Sequence, residues 1–271
     1  MKLAIAGKGG VGKTSICGTL ARVLARDGYR VLAIDNDMNP NLSLTLGIPP
    51  EVMTQLPSFG HDVVQRSDKG GFELLMSVEE ICEAYSLPGP EGISLLVAGQ
   101  PKEANTGCFG AAHMAVRCVI EVAEDTSHDV LLLDTEASTE HLLVATAEHV
   151  DAMFVVVEPF FTSLETGRRT VMLAKDLGLE RVALIANKVR GEKEVEAVES
   201  FAGDNDLEVV GVIPFDDCFR EAERVPRAPL DYDPEAGAMK AIAQLAPRLV
   251  SAPPATEPVK AGSDRPQSSW R

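Results

Sequence analysis

The chain has 271 residues, which is long enough for one large domain with a sizeable core. Hydrophobic residues make up 45% of it and aromatic residues only 5%, a usage typical of an α/β protein with aliphatic strands. The formal net charge of −16 disfavours nonspecific binding to DNA or anionic lipid, because an acidic surface repels phosphate groups. A local basic patch would still permit such binding.

The five cysteines are scattered along the chain without a paired framework. The sequence runs from Met1 directly into an apolar strand, without the basic and apolar regions of a signal peptide. No apolar run approaches the roughly 20 residues needed to span a bilayer. We therefore expect a cytoplasmic protein with reduced thiols.

Seven short apolar runs recur along the chain, separated by segments with helical periodicity. Their hydrophobicity is continuous rather than alternating, which favours strands buried on both faces, as in a parallel sheet covered by helices. We predict a doubly wound, mostly parallel α/β fold, with one domain over residues 1–250. The predicted strands cover residues 2–7, 30–35, 92–99, 129–134, 152–159, 181–188 and 207–214.

Two segments stand apart from this alternation. Residues 49–90 contain clusters of proline, glycine and charge, and are interpreted as an insertion rather than a second domain. Residues 251–271 are rich in proline, serine and alanine without an apolar period, which predicts a disordered tail.

A glycine-rich stretch, GKGGVGKT, follows the first predicted strand and opens a helical segment. It fits the pattern G-x-x-x-x-G-K-[ST] and predicts a P-loop NTPase, in which the backbone N–H groups of the loop wrap the phosphates of ATP at a helix N-terminus. In that role Lys13 neutralises phosphate charge and the Thr14 hydroxyl binds Mg²⁺. The alternative is a glycine-rich turn with no ligand. The residues predicted to hold the phosphates are Gly7, Gly9, Gly10, Val11, Gly12, Lys13, Thr14 and Ser15.

Three aspartates follow at or near strand ends. Asp35 ends the second predicted strand and is placed near the Mg²⁺ shell, and Asp37 is placed to orient the attacking water. Asp134 ends the fourth predicted strand, where it would bind Mg²⁺ or its water and begin switch II. A single strand-end aspartate is often only a helix cap, but the three in this order predict ATP hydrolysis.

The same loop carries a second lysine, Lys8. The stretch KGGVGKT resembles the deviant Walker motif of the MinD/ParA and nitrogenase-iron-protein group of dimeric ATPases. The resemblance implies a homodimer in which Lys8 reaches across the two-fold axis to the partner's ATP; the alternative is an ordinary solvated lysine. IANK resembles the group's adenine-reading element through Asn187, and IPFDD resembles its base-contacting loop at Pro214 and Asp216.

Three functional classes of this ATPase group are possible for the chain. MinD-type proteins end in a membrane-binding amphipathic helix, whereas this tail is proline-rich without an apolar stripe, so no membrane partner is expected. ParA-type proteins need basic patches for DNA, and the net charge argues against nucleic acid. The third class couples ATP to a metal site on the dimer axis; it includes nitrogenase-type iron proteins and the CooC-type proteins that mature nickel–iron carbon monoxide dehydrogenase.

Three stretches resemble CooC-type proteins: residues 134–142, residues 156–169, and AGQPKEANTGCFG at residues 98–110. The last places Cys108 before a predicted helix, where both metal-carrying families have a ligand cysteine. The resemblance implies a maturation factor that delivers nickel to a client metalloenzyme such as carbon monoxide dehydrogenase. The alternative is that Cys108 has no metal or redox role and is only a small residue at an interface.

The chain departs from the CooC pattern at the second cysteine of Cys-x-Cys, which is absent. Cys118 lies ten residues beyond Cys108, about 15 Å along a helix, and is expected to pack in the core. His141 lies seven residues after Asp134, where iron proteins place their second cluster cysteine. Cys108 and His141 from two subunits would form an S₂N₂ site for Zn²⁺ or Ni²⁺, with His113 a weaker candidate. The alternative is that His141 only orders switch II or packs on a helix.

Two rival functions remain open. One is a ParA/MinD-like positioning or regulatory switch without a metal cargo. The other is an iron-protein-like reductase with a [4Fe–4S] cluster, for which a single matching cysteine is a poor fit.

Overall fold

The structure is a computed structural model that describes residues 1–53, 58–68, 70–98, 110–123, 127–137 and 147–251. Within these residues a small antiparallel pair, β3 with β4, accompanies one large sheet. The strands are β1 (Lys2–Gly7), β2 (Val31–Asn36), β3 (Val64–Arg66), β4 (Phe72–Leu74), β5 (Leu87–Pro88), β6 (Ser94–Val97), β7 (Val130–Thr135), β8 (Ala152–Val157), β9 (Val182–Val189) and β10 (Val209–Pro214).

The large sheet has eight described strands in the order β10-β9-β8-β1-β7-β2-β6-β5. Every pairing is parallel except that of β5 with β6. All seven predicted strands are present, and the predicted doubly wound α/β fold is confirmed. β1 lies in the centre of the sheet, so the glycine loop that follows it emerges at the middle of one sheet edge.

Helices cover both faces of the sheet. The helices are α1 (Lys13–Arg26), α2 (Leu42–Leu46), α3 (Pro50–Met53), α4 (Val78–Tyr85), α5 (Gly110–Val122), α6 (Phe161–Asp176), α7 (Glu192–Asp204), α8 (Cys218–Arg224), α9 (Pro229–Tyr232) and α10 (Gly237–Val250). None of these helices is both long and apolar enough to cross a lipid bilayer.

The sheet separates two hydrophobic cores, because successive side chains of a strand point to opposite faces. Leu3 and Ile5 of β1 belong to the core that α1, α2 and α10 cover. Ala4 and Ala6 belong to the core that α4, α5, α6 and α7 cover. The continuous apolar runs of the sequence therefore report burial on both faces.

The segment interpreted as an insertion contributes α3, α4 and β3 to β5. It shares the core of the sheet, since Phe59 and Ile81 are fully buried in it and Phe59 bridges to Ala98 beside β6. The hydrophobic pattern of the sequence did not predict β3 to β5, because strands of two or three residues are too short to show a hydrophobic period. The predicted tail begins at Ser251, and its residues after Ser251 lie outside the described residues. The domain boundary at residue 250 therefore stays a prediction.

Candidate nucleotide-binding site

The glycine loop joins β1 directly to the N-terminus of α1. Gly12 caps α1 with φ of 98°, and a Cβ on it would lie 2.5 Å from Nδ2 of Asn187. A Cβ on Gly7 would lie 2.5 Å from the carbonyl oxygen of Val156. These two positions therefore require glycine, and the first N–H groups of α1 point toward the space in front of the loop.

A cavity of about 850 Å³ opens in front of this loop, a volume suited to a nucleotide. The loop residues Gly10 and Gly12 to Ser15 form one side, with Asp37 and Thr45 beside them. The far wall comes from the segment after β10, with the side chains of Phe219, Glu223 and Arg227. Sequence reasoning missed this wall, because these residues match no motif and only the chain path after β10 brings them to the loop.

Lys13 is 6% exposed and lies among carboxylates. Its Nζ is 3.5 Å from the carbonyl oxygen of Lys8, at the tip of the loop. Burial lowers the pKa of Lys13, against the opposing charges of Asp134, Asp37 and Glu136. The ammonium is thus a buried cation directly behind the surface that phosphate groups would contact.

Lys8 is exposed at the outer side of the loop. Its backbone carbonyl accepts hydrogen bonds from Val11 N and Lys13 Nζ, which fold the loop back on itself. Among the described residues no acceptor contacts its ammonium. The Lys8 backbone thus shapes the loop, while its side chain is exposed.

Asp134 has the properties of a cation ligand. It is fully buried, no backbone group among the described residues donates to its carboxylate, and the hydrogen-bonding side chain beside it is the Thr14 hydroxyl. Burial and the charge of Asp35 raise its pKa well above the usual range; the nearby Thr14 hydroxyl and Lys13 oppose this rise. Because an unpaired buried carboxylate is costly, and because Mg²⁺ prefers oxygen ligands, the site fits Mg²⁺ held by Asp134 and Thr14.

No group of three or more His, Cys, Asp and Glu side chains within the described ranges could hold a metal ion alone. Cys108 and His141 lie outside the described residues, so the structure does not test the predicted transition-metal site.

Asp35 and Asp37 shape the loop after β2. Asp35 accepts hydrogen bonds from the backbone N–H of Leu42 at 2.9 Å and of Asp37 at 3.2 Å. Burial, with the charge of Asp37 adding to it, raises the pKa of Asp35 to about 6. Asp37 lines the cavity and accepts a hydrogen bond from Asn39 N. Asp37 thus faces the predicted phosphate site, whereas Asp35 supports the backbone that carries it.

The predicted base-contacting residues lie beside the cavity rather than on its wall. Asn187 is buried and donates from Nδ2 to the carbonyl oxygen of Val11 at 2.7 Å. Asp216 accepts hydrogen bonds from Cys218 N and Ala238 N, which fixes the N-termini of α8 and α10. Pro214 lines a neighbouring cavity of about 540 Å³. Adenine contact by these three residues stays a prediction.

One histidine of α5 connects the two loops that follow β2 and β7. His113 Nδ1 lies 3.2 Å from Nδ2 of Asn36, and its Nε2 lies 3.9 Å from a carboxylate oxygen of Glu136. Asn36 directly precedes Asp37, and Glu136 closely follows Asp134.

Cys118, also on α5, is buried as predicted, and its Sγ donates to the carbonyl oxygen of Phe72 at 3.5 Å.

Comparison with known proteins agrees with this site. The CobQ/CobB/MinD/ParA nucleotide binding domain model matches residues 2–227. The carbon monoxide dehydrogenase accessory protein CooC of Rhodospirillum rubrum is 34% identical over 242 residues, covering 86% of this chain and 91% of that protein. An uncharacterized ATP-binding protein of Methanocaldococcus jannaschii is 34% identical over 245 residues, covering 87% and 93%.

Solved structures of other proteins share this fold. The septum site-determining protein MinD of Pyrococcus horikoshii, solved as a complex with Mg-ADP, superposes with a TM-score of 0.66 at 21% identity. The match covers 92% of this chain and 95% of that one. The chain therefore belongs to the CobQ/CobB/MinD/ParA nucleotide-binding family and is a P-loop ATPase.

Proposed function

We propose that this ATPase is a homodimeric maturation factor that couples Mg-ATP binding and hydrolysis to the delivery of nickel into a client metalloenzyme such as carbon monoxide dehydrogenase. The observation that carries the proposal is the 34% identity to a carbon monoxide dehydrogenase accessory protein over most of both chains. Cys108, in a stretch that resembles CooC-type proteins, is the candidate ligand for the cargo metal.

In this proposal the phosphates of ATP lie against the backbone N–H groups of the glycine loop. Lys13 neutralises their charge, and Asp37 orients the attacking water from the cavity wall. Mg²⁺, held by Thr14 and Asp134 near Asp35, supplies further neutralisation of the phosphate charge. Lys8 of the partner subunit completes the site, so hydrolysis requires two closed subunits.

The proposed coupling runs through α5. His113 contacts the residues next to Asp37 and Asp134, so a rearrangement of either loop at the phosphates displaces the N-terminal part of α5. Cys108 precedes this helix by two residues. ATP binds the closed dimer better than ADP does, and hydrolysis then releases the cargo at a defined step.

The deciding experiment is an anaerobic titration of the protein with Ni²⁺ and with Zn²⁺, in the presence of ADP or ATP. We expect stoichiometric binding that is lost in Cys108→Ser and weakened in His141→Ala. The matched control is Cys82→Ser, since Cys82 is a half-buried thiol of α4 away from the nucleotide site. Equal binding by wild type and Cys108→Ser, or none by either, would remove the metal-delivery proposal.

The second candidate is a ParA/MinD-like positioning or regulatory switch, favoured by the inclusion of both protein classes in the matching family. It predicts ATP-dependent binding to DNA fragments or to anionic liposomes at moderate salt. Such binding, with no Cys108-dependent metal binding, would replace the first proposal.

A further inference from the structure

Two consecutive residues of β9 both contact the glycine loop. Asn187 donates from Nδ2 to the carbonyl oxygen of Val11 at 2.7 Å. Lys188 donates from Nζ to the carbonyl oxygen of Gly10 at 2.5 Å. In a regular strand neighbouring side chains point to opposite faces, so a regular β9 could not direct both to one loop.

The irregularity that permits this lies at these residues. β9 pairs with β10 at Ala186 opposite Val212 and next at Val189 opposite Pro214, which leaves one extra residue in β9. Lys188 itself has φ of 59°, in the left-handed region that is uncommon for a residue with a side chain. Bulges and strained backbone of this kind concentrate next to functional sites.

The Lys188 ammonium is held from a second side. Its Nζ lies 2.8 Å from a carboxylate oxygen of Glu158, the first residue after β8. Glu158 is anchored in turn, since its backbone N–H donates to Oγ of Ser163 on α6. β8 is the direct neighbour of β1, so the glycine loop and Glu158 emerge side by side.

We propose that Lys188, oriented by Glu158, is a positioning residue for the ATP site. A glycine loop binds phosphates through its N–H groups, which requires its carbonyl groups to point away from the ligand. The Lys188 ammonium holds the Gly10 carbonyl in that orientation and opposes a flip of the peptide that would direct the oxygen at the phosphates. The loop is then organised before the nucleotide arrives, and less affinity is lost to ordering it.

The test compares Lys188→Met with Lys193→Met, a matched change at an exposed lysine of α7. Calorimetry with Mg-ADP is expected to show roughly tenfold weaker binding for Lys188→Met and no change for Lys193→Met. The KM for ATP should rise by a similar factor, with a smaller effect on kcat. Glu158→Gln should weaken binding in the same direction by a smaller factor, and Lys188→Arg should recover part of the affinity.

A purely structural role for Lys188 would give a different pattern. Hydrogen–deuterium exchange of the nucleotide-free protein reports directly on the loop, and Lys188→Met should raise the exchange of residues 7–13. Unchanged affinity and unchanged loop exchange, with or without a lower Tm, would overturn the proposal. Lys188→Gly relieves the backbone strain and removes the ammonium, so it should lose affinity even if Lys188→Met folds poorly. These readouts concern nucleotide binding, and their outcome is independent of any metal cargo.

Discussion

Asp35 and Asp134 occupy directly paired positions on the adjacent parallel strands β2 and β7. Both are buried, but only Asp35 accepts backbone hydrogen bonds, from Asp37 and Leu42. Asp134 accepts no backbone hydrogen bond among the described residues, and the Thr14 hydroxyl lies beside it. Two chemically identical side chains at the same level of the sheet therefore differ in their surroundings: Asp35 holds a loop through backbone hydrogen bonds, and Asp134 receives none and fits the role of a cation ligand.

We expect Asp134→Asn to separate stability from activity. The amide has the same shape and no buried charge, so the nucleotide-free protein should gain about 1 kcal/mol in the free energy of unfolding. Mg²⁺-dependent ATP hydrolysis should fall by roughly 100-fold or more, because the cation ligand is lost. Urea unfolding and phosphate release measure the two effects, with Asp68→Asn, an exposed residue, as the control. Full activity in Asp134→Asn would contradict the assignment.

Lys8→Ala should abolish ATP-dependent dimerisation and hydrolysis while leaving ADP binding by the monomer nearly unchanged, because the Lys8 ammonium contacts no described acceptor in its own subunit. Analytical ultracentrifugation and phosphate release measure the two losses. Normal turnover in this variant would refute the two-subunit mechanism.

Mixing Lys8→Ala with Asp37→Ala tests whether Lys8 acts across the dimer. In a mixed dimer the Lys8→Ala subunit keeps its own Asp37 and receives Lys8 from its partner. An equimolar mixture should regain activity that neither variant shows alone, about a quarter of the wild-type activity where the subunits pair at random, since each mixed dimer holds one intact site. No recovery would place Lys8 in its own subunit's site.

His113→Leu should uncouple the two loops that follow β2 and β7. We expect roughly tenfold lower kcat with nearly unchanged affinity for Mg-ADP, because His113 contacts Asn36 and Glu136 and does not line the nucleotide cavity. Steady-state kinetics and calorimetry provide the comparison, with His61→Leu as an exposed control. A loss of affinity equal to the loss of rate would show that His113 supports binding instead.

The buried Arg22 of α1 should make stability sensitive to acid. It hydrogen-bonds Asp231 and Glu91 and the carbonyl oxygen of Leu46. The hydrogen bond from Arg22 lowers the pKa of Asp231. Burial would raise the pKa of Glu91, but hydrogen bonds from Arg22 and Arg26 outweigh it and lower that pKa.

Because both folded-state pKa values lie below their ordinary values of roughly 4, this stabilisation is present above about pH 4 and is lost as the pH falls further. Asp231→Asn should therefore lower the free energy of unfolding by about 1–2 kcal/mol at pH 7. The difference from wild type should shrink as the pH falls below about 4 and Asp231 becomes protonated. Urea unfolding at several pH values measures this, with the exposed Asp217→Asn as control. A difference independent of pH would contradict the assignment.

The sequence alone determined the strands and the glycine loop, because both depend on local patterns. Seven continuous aliphatic runs could be stable only in a sheet covered on both faces, and the loop's conformation follows from glycines next to a strand and a helix. The strand-end positions of Asp35 and Asp134 also placed them at one sheet edge before the structure was known.

Only the tertiary structure decided which groups meet there and how each is used. The cavity wall with Phe219 and Arg227 depends on the chain path after β10, which no local pattern encodes. The approach of Lys188 to Gly10 depends on the register of β9 against β10, where a single extra residue redirects two side chains. Register and chain path are set by the packing of the whole sheet, and that is why contacts between residues 178 positions apart had to be found in the structure.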